Sequence, residues 1–232
     1  ADSVDENTGS GVQVGLTAYA IDADGTTNVV TYSLVNADRT DYLGGQFEID
    51  STTGVVTTGT TSLDHEIDGA SITLYVLASS ADGSSALQTF VVSVNNLNDN
   101  APVFTSAAEG SVDENAATST VVYTAATTDA DDLLARTYSL SGADAALLSI
   151  DSATGEVTLL SSADYEDKAS YSFDVVADDG ANQTTQAVVV TVNNMDDQPT
   201  GEVIINGAPV QGRELTVTHP TLADEDGINK GL

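Results

Sequence analysis

The sequence predicts an all-β chain: two tandem seven-stranded sandwiches followed by the start of a third β module. Three observations carry this prediction: an internal repeat, a hydrophobic period of two, and turn residues at the spacing of short strands. The repeat is read from matches that keep their order. Val4-Asp5-Glu6-Asn7 returns as Val112-Asp113-Glu114-Asn115, Asp22-Ala23-Asp24 as Asp129-Ala130-Asp131, and Tyr32-Ser33-Leu34 as Tyr138-Ser139-Leu140. Ile49-Asp50-Ser51-Thr52-Thr53-Gly54 returns as Ile150-Asp151-Ser152-Ala153-Thr154-Gly155, Asp64-His65-Glu66 as Asp164-Tyr165-Glu166, and Asn95-Asn96 as Asn193-Asn194. Short loop deletions in the second copy account for the shrinking offset. The repeats are therefore placed at 1–98 and 99–197, with 198–232 as a partial third module.

Within a repeat, Val12/Val14/Leu16, Ile72/Leu74/Val76/Ala78 and Phe90/Val92/Val94 put apolar side chains on alternate residues, the pattern of a half-buried strand. The runs are rich in Val, Thr and Tyr and are cut by clusters such as Asp24-Gly25 and Asp82-Gly83, and no helical stripe persists beyond a turn or two. About seven short strands in ~100 residues is the signature of an immunoglobulin-like sandwich. Gly54 and Gly155 fit tight turns between strands, where a left-handed backbone favours glycine. Tyr32, Tyr138, Phe104 and Phe173 are assigned to the core, and Tyr19, Tyr42, Tyr123 and Tyr165 to the surface. In the tail, residues 201–207 and 215–217 read as two strands. So short a stretch cannot bury a core by itself, and the reading is a third module cut short, against a disordered tail.

Composition narrows the function. Among 232 residues and 23.7 kDa, Lys and Arg number 5 against 36 Asp and Glu, a formal charge of −31. A phosphate backbone requires a basic footprint, and an anionic membrane surface would repel this chain, so neither is expected as a partner. The absence of cysteine excludes disulfides, thiolate zinc sites and cysteine nucleophiles. No apolar run approaches the roughly 18 residues of a membrane span, and Ala1-Asp2-Ser3 begins no signal peptide, so the chain is read as soluble and as an excised segment. His65 and His219 have no nucleophile context, and no enzyme activity is expected.

A lone Asp-x-Asp is more often a turn than a ligand, because Asp bonds its own backbone. Clustering argues further. Strand counting directs Glu6, Asp64, Glu66, Asp99, Asp129, Asp131 and Asp179 to the junction between repeats. Two carboxylates ~5 Å apart repel by roughly 3 kcal/mol at an effective dielectric of about 20, so a cation is expected there. Oxygen donors without His or Cys select calcium over zinc, and magnesium would demand a stricter octahedron.

The run Asn98-Asp99-Asn100-Ala101-Pro102-Val103-Phe104 completes a set of ordered motifs: a Glu-Asn entry, an Asp-x-Asp loop, an Asp-x-Glu turn, an Ala-x-Asp loop and an Asn-Asp-Asn linker. Over residues 1–198 the chain resembles the cadherin repeat. The resemblance implies three calcium ions in a linker, held by Glu6, Asp64, Glu66, Asn98, Asp99, Asn100, Asp129, Asp131 and Asp179. Some positions depart from the pattern. Asn96 stands where the linker begins with Asp, His65 and Tyr165 replace Arg, and Ser80 replaces the Ala-x-Asp carboxylate, leaving Asp22 and Asp24 for an upper site. The second linker offers Asp196 and Asp197 with Glu114, Asp164 and Glu166, and the tail run Asp224-Glu225-Asp226-Gly227 is expected to contribute two more carboxylates if the third module presents that loop downward. With no Trp, the strand exchange that inserts a Trp into a partner is not expected. The tail is similar to short β repeats of very large bacterial surface proteins. The expected function is therefore a calcium-rigidified extracellular repeat, serving cell-surface adhesion or acting as a spacer in a large adhesin. The alternatives are a polysaccharide-binding accessory module and calcium-dependent homophilic adhesion. Expected partners are neighbouring repeats of the same chain and cell-surface polysaccharide or another cell, at an extracellular or bacterial cell-surface location.

Overall fold

Strands that alternate Val, Leu or Phe with Ser and Thr present one apolar face each, and burying those faces against one another builds each repeat. A computed structural model describes residues 2–23, 29–202, 204–207, 211, 214, 216–218 and 223. They fall into two units, residues 1–100 with 130–133, and residues 101–129 with 134–232. The segment 130–133 thus belongs by its contacts to the first unit, although in the sequence it lies within the second repeat.

In the first unit, β1 (Ser3–Asp5), β7 (Ser85–Asn95), β6 (Ser71–Ser80) and β3 (Val30–Val35) form one sheet in that order. β2 (Gln13–Thr17), β5 (Val55–Thr58) and β4 (Phe47–Ile49) form the other. β1 runs parallel to β7, with Val4 opposite Val94, and the other pairings are antiparallel. Leu74, Val92 and Val94 meet Val14, Leu16, Phe47 and Val56 in the core. Each such side chain contributes about 1.5–3 kcal/mol relative to exposure. Val12, expected on the buried face with Val14 and Leu16, is instead 46% exposed. It lies just ahead of β2, whose register against β5 shifts between Gln13 and Thr17.

The second unit repeats the plan. β12 (Thr137–Ser141), β15 (Ser170–Asp178), β16 (Gln183–Asn193) and β9 (Glu109–Asp113) form one sheet, with β9 parallel to β16. β10 (Val121–Thr124), β14 (Glu156–Leu159) and β13 (Leu148–Ile150) form the second, and β8 (Val103–Phe104) pairs with β11 (Thr127–Thr128). Tyr123, assigned from the sequence to the surface, is only 6% exposed. A bulge between Val121 and Tyr123 breaks the alternation of β10, so that Val122 and Tyr123 are both buried. The Tyr123 ring meets Phe173 edge-on at 6.2 Å, and its hydroxyl bonds Ser106 Oγ at 2.8 Å.

Gly54 and Gly155 adopt φ +71° and +72°, as the turns require. Asp50 and Asp151 close those turns by accepting N–H groups from residues 52–53 and 153–154. These bonds hold both carboxyls below their ordinary acid range. In the tail, β17 (Ile204–Asn206) pairs antiparallel with β18 (Thr216–Thr218), and Thr200 bridges to Ala223. Asp24, His219, Asp224, Glu225 and Asp226 lie outside the described residues. Among the described residues no helix is long and apolar enough to cross a membrane.

Candidate metal centre

Glu6 follows β1 and is a carboxylate with 1% exposure. Burial of such a group requires compensation, and backbone supplies it: Oε2 accepts the N–H of His65 at 2.6 Å and Oε1 that of Leu97 at 2.6 Å. The residues after it are placed by a single helical turn, α1 (His65–Asp68), which Asp64 caps by accepting the Ile67 N–H at 2.9 Å. The turn brings Asp64 and Glu66 to Glu6, so that one oxygen of each lies within 4.8 Å of the others.

Glu66 also belongs to a second group. With Asp99 and Asp131 it forms another set of three carboxylates within 4.8 Å. Asp131 is 5% exposed and is held by Asn100, whose backbone N–H reaches Oδ2 at 2.7 Å and whose Nδ2 reaches Oδ1 at 2.8 Å. Asn96 Nδ2 donates to the Asp131 carbonyl at 3.2 Å, while the buried Asn96 Oδ1 has no hydrogen-bond partner. Asp99 accepts from Asn7 Nδ2 and from Asn100 Nδ2. All five carboxylates lie within the first unit.

The second unit carries the same arrangement after its own first long strand. Glu114, 3% exposed, accepts the N–H of Tyr165 at 2.9 Å and that of Met195. Glu114, Asp164 and Glu166 form the third group within 4.8 Å. Asn115 Nδ2 holds Asp197 at 2.9 Å, and Asn194 Nδ2 holds Glu166 at 2.9 Å. Glu114, Asp164, Asp197 and Gln198 line one cleft, and Asp196 is exposed beside it.

Other expected ligands have their own places in the fold. Asp179, 2% exposed, closes the β15–β16 hairpin by accepting the N–H groups of Ala181 and Asn182 at 2.8 and 2.7 Å. Asp129 follows β11, and Asp22 accepts the Ser80 hydroxyl, which occupies the position where the second repeat has Asp179. Among the described residues, Asp22, Asp129 and Asp179 join no cluster of three carboxylates. Sequence reasoning passed over Asn7 and Asn115, which orient Asp99 and Asp197. Their signal was their place directly after the buried Glu in both Val-Asp-Glu-Asn copies.

The donor set passes a geometric test for a hard cation. Calcium takes oxygens at 2.3–2.6 Å, so two ligands of one ion stand no more than about 5.2 Å apart. The three groups meet that limit, with at most 4.8 Å between ligand atoms. Left bare, each such pair would repel by about 3 kcal/mol at an effective dielectric of about 20. With 5 Lys and Arg against 36 acids, the protein's own cations are too few to offset this across its surface.

Tandem β-sandwiches with acidic oxygens gathered where each repeat ends define a class of repeat protein, and comparison places the chain within it. The Cadherin domain model matches residues 3–95 and 108–193. The chain belongs to the cadherin family. It is 31% identical to human protocadherin Fat 1 over 97% of its own length and 33% identical to Drosophila melanogaster dachsous over 82%. Mouse protocadherin Fat 4 is 32% identical over 89%. The chain spans 5%, 5% and 4% of those proteins. In structure it is similar to mouse cadherin-23 repeats EC22–24, with a TM-score of 0.67 at 24% identity, covering 97% of this chain and 74% of that one. At that identity the likeness is one of fold. These relatives are animal proteins, whereas the tail suggested a bacterial source.

Proposed function

We propose that the chain is a calcium-held pair of repeats from an extracellular adhesive or spacer array, with modules at 1–98 and 99–197 and a further module beginning near 198. The observation that carries this reading is Glu66, shared by two carboxylate groups with the buried Glu6 in one and the buried Asp131 in the other. One side chain common to two sites couples their occupancy. Glu6, Asp64, Glu66, Asp99 and Asp131 bring five negative charges that two calcium ions would nearly balance. Asn98, Asn100, Asp129 and Asp179 are proposed to complete the ligand set at this linker, with Asp22 and Asp24 as an upper site. Glu114, Asp164, Glu166, Asp196 and Asp197 supply the same chemistry after the second repeat.

Calcium supplies charge compensation and a fixed geometry, and the protein side chains hold their oxygens in place for it. Asp131 belongs to the second repeat by sequence and to the first unit by contact, so an ion bound to it would tie together chain from both repeats. Affinities of about 10⁻⁴ to 10⁻³ M are expected of extracellular modules, matched to calcium-rich fluid outside cells. No catalytic constellation is part of this reading. A bacterial cell surface as the setting is supported by the tail's likeness alone. The test is small-angle scattering of the chain in calcium and in EDTA, beside calorimetric calcium titration. A larger maximum dimension in calcium and a saturable heat are expected. Identical scattering in both buffers, or no binding at millimolar calcium, would overturn the proposal.

A further inference from the structure

Three consecutive residues make the same contacts in both repeats. Asp5 Oδ1 accepts from Asn95 Nδ2 at 2.8 Å, and Asp113 Oδ1 accepts from Asn193 Nδ2 at 2.8 Å. Glu6 and Glu114 donate their backbone N–H groups to the carbonyls of those asparagines at 3.1 Å, and each accepts an N–H two residues further on, from Leu97 or Met195. Asn7 and Asn115 reach two residues beyond that, their Nδ2 atoms donating to Asp99 and Asp197. Each step of one residue along the entering segment thus meets a step of two along the leaving one, through 95, 97 and 99 or through 193, 195 and 197.

The last step depends on the backbone. Asn7 and Asn115 stand at φ +57° and +60°, a left-handed conformation that a side chain makes costly and that asparagine adopts more readily than most residues. There the backbone N–H groups donate to Leu63 O and Ala163 O at 3.0 and 2.9 Å, while the side-chain amides take the linker carboxylates. Alanine at either place would lose both the ease of the turn and the donor, whereas glycine would lose the donor alone. In the first repeat the donor holds a charge among like charges. An oxygen of Asp99 lies within 4.8 Å of oxygens of Glu66 and Asp131, and repulsion drives it away unless a neutral donor holds it or a cation sits between them. An oxygen held by an amide keeps a further lone pair for a cation.

We propose that Asn7 and Asn115 are positioning residues that set the carboxylates of Asp99 and Asp197 in place before an ion arrives. The inference rests on the calcium reading above and adds the state of the chain without the ion. There the linker carboxylate is already ordered, so binding does not have to order it. Ordering a side chain on binding weakens affinity, and a group placed beforehand avoids that loss. Asp99 Oδ1 also accepts from Asn100 Nδ2 at 2.9 Å, but Asn100 is its neighbour in the same linker. Asn7 follows β1 and is fixed to Leu63 O, so it ties the linker carboxylate to the body of the repeat.

The test compares Asn7→Gly, Asn7→Ala and Asn115→Gly with the parent chain, in EDTA and along a calcium titration followed by the amide NMR signals of residues 97–99 and 195–197. In EDTA the parent amides of 97–99 should show order parameters of about 0.85, and Asn7→Gly should bring them below about 0.6 while leaving 195–197 unchanged. The unfolding midpoint of its first repeat should stay within about 3 °C of the parent's, whereas Asn7→Ala, strained at φ +57°, should melt about 4–8 °C lower. Both variants should bind calcium about three- to tenfold more weakly at the first linker, and Asn115→Gly should do so at the second alone. An Asn7→Gly chain that keeps the parent's order in EDTA, or that binds calcium as tightly as the parent, overturns the inference. So does a loss of affinity confined to Asn7→Ala, which would make the backbone turn the whole of the contribution. A parent that binds no calcium overturns the proposed function instead, and the order parameters in EDTA still decide this inference.

Discussion

Glu66→Gln is the most informative perturbation, because calcium binding and bare stability should move in opposite directions. The substitution keeps the shape and removes one charge from both three-carboxylate groups of the first unit. At the 4.8 Å limit of those groups, each lost pair relieves about 3 kcal/mol at an effective dielectric of about 20. Glu66 is exposed, so water and salt reduce the realised gain to about 1 kcal/mol. In EDTA the variant's first repeat should therefore melt about 4–8 °C higher than the parent's. In calcium the order should reverse, because two sites lose a shared ligand, and affinity should fall by at least about tenfold, or 1.4 kcal/mol. Thermal unfolding in EDTA and in millimolar calcium, with calorimetric titration of each protein, reads all three quantities. A variant that melts lower than the parent in EDTA, or that titrates with calcium indistinguishably from it, would refute the reasoning.

Glu114→Ala should cost the second repeat about 2–5 kcal/mol even without calcium, because the buried N–H groups of Tyr165 and Met195 both lose their acceptor. Glu114→Gln, which keeps one acceptor oxygen, should cost less, and urea unfolding of the two variants in EDTA measures the difference. Gly155→Ala places a Cβ 2.6 Å from Ala125 O on a backbone at φ +72°, so a loss of about 2–4 kcal/mol is expected in the same assay. Asp144 is held below its ordinary value of 3.8 first by the Ser172 N–H and then by Lys168, whose Nζ lies 2.9 Å from Oδ1. A depressed carboxylate stabilises the fold above the unfolded value, and the contribution is lost as pH falls below 3.8 through the folded one. Asp144→Asn should therefore destabilise at pH 6 and become neutral at pH 2, which urea midpoints against pH would check.

Much of the fold was legible because two periodicities are local properties. Leu74, Val76, Val92 and Val94 are buried as their alternation required, and Gly54 and Gly155 take the left-handed backbone that their turns require. Tyr123 was misplaced because a bulge reverses the facing of residues without leaving a mark in the pattern, and Val12 because the strand begins one residue after it. At the candidate site, the residue types and the pairing of Asp64 with Glu66 were readable from the sequence. The near-complete burial of Glu6 was not, since it depends on N–H groups of His65 and Leu97, residues distant from it along the chain.

By itself the sequence determined that the chain is built from two like β units, that oxygen donors dominate its chemistry, and that its cations are too few to balance them. These follow from composition and short-range order, which survive unfolding. Only the tertiary structure decided which acids meet. Asp131, held through both oxygens by Asn100, joins Glu66 and Asp99, and Asp179 closes a hairpin through Oδ1. Such meetings depend on contacts between residues far apart in the chain, and distance along the sequence carries no record of them.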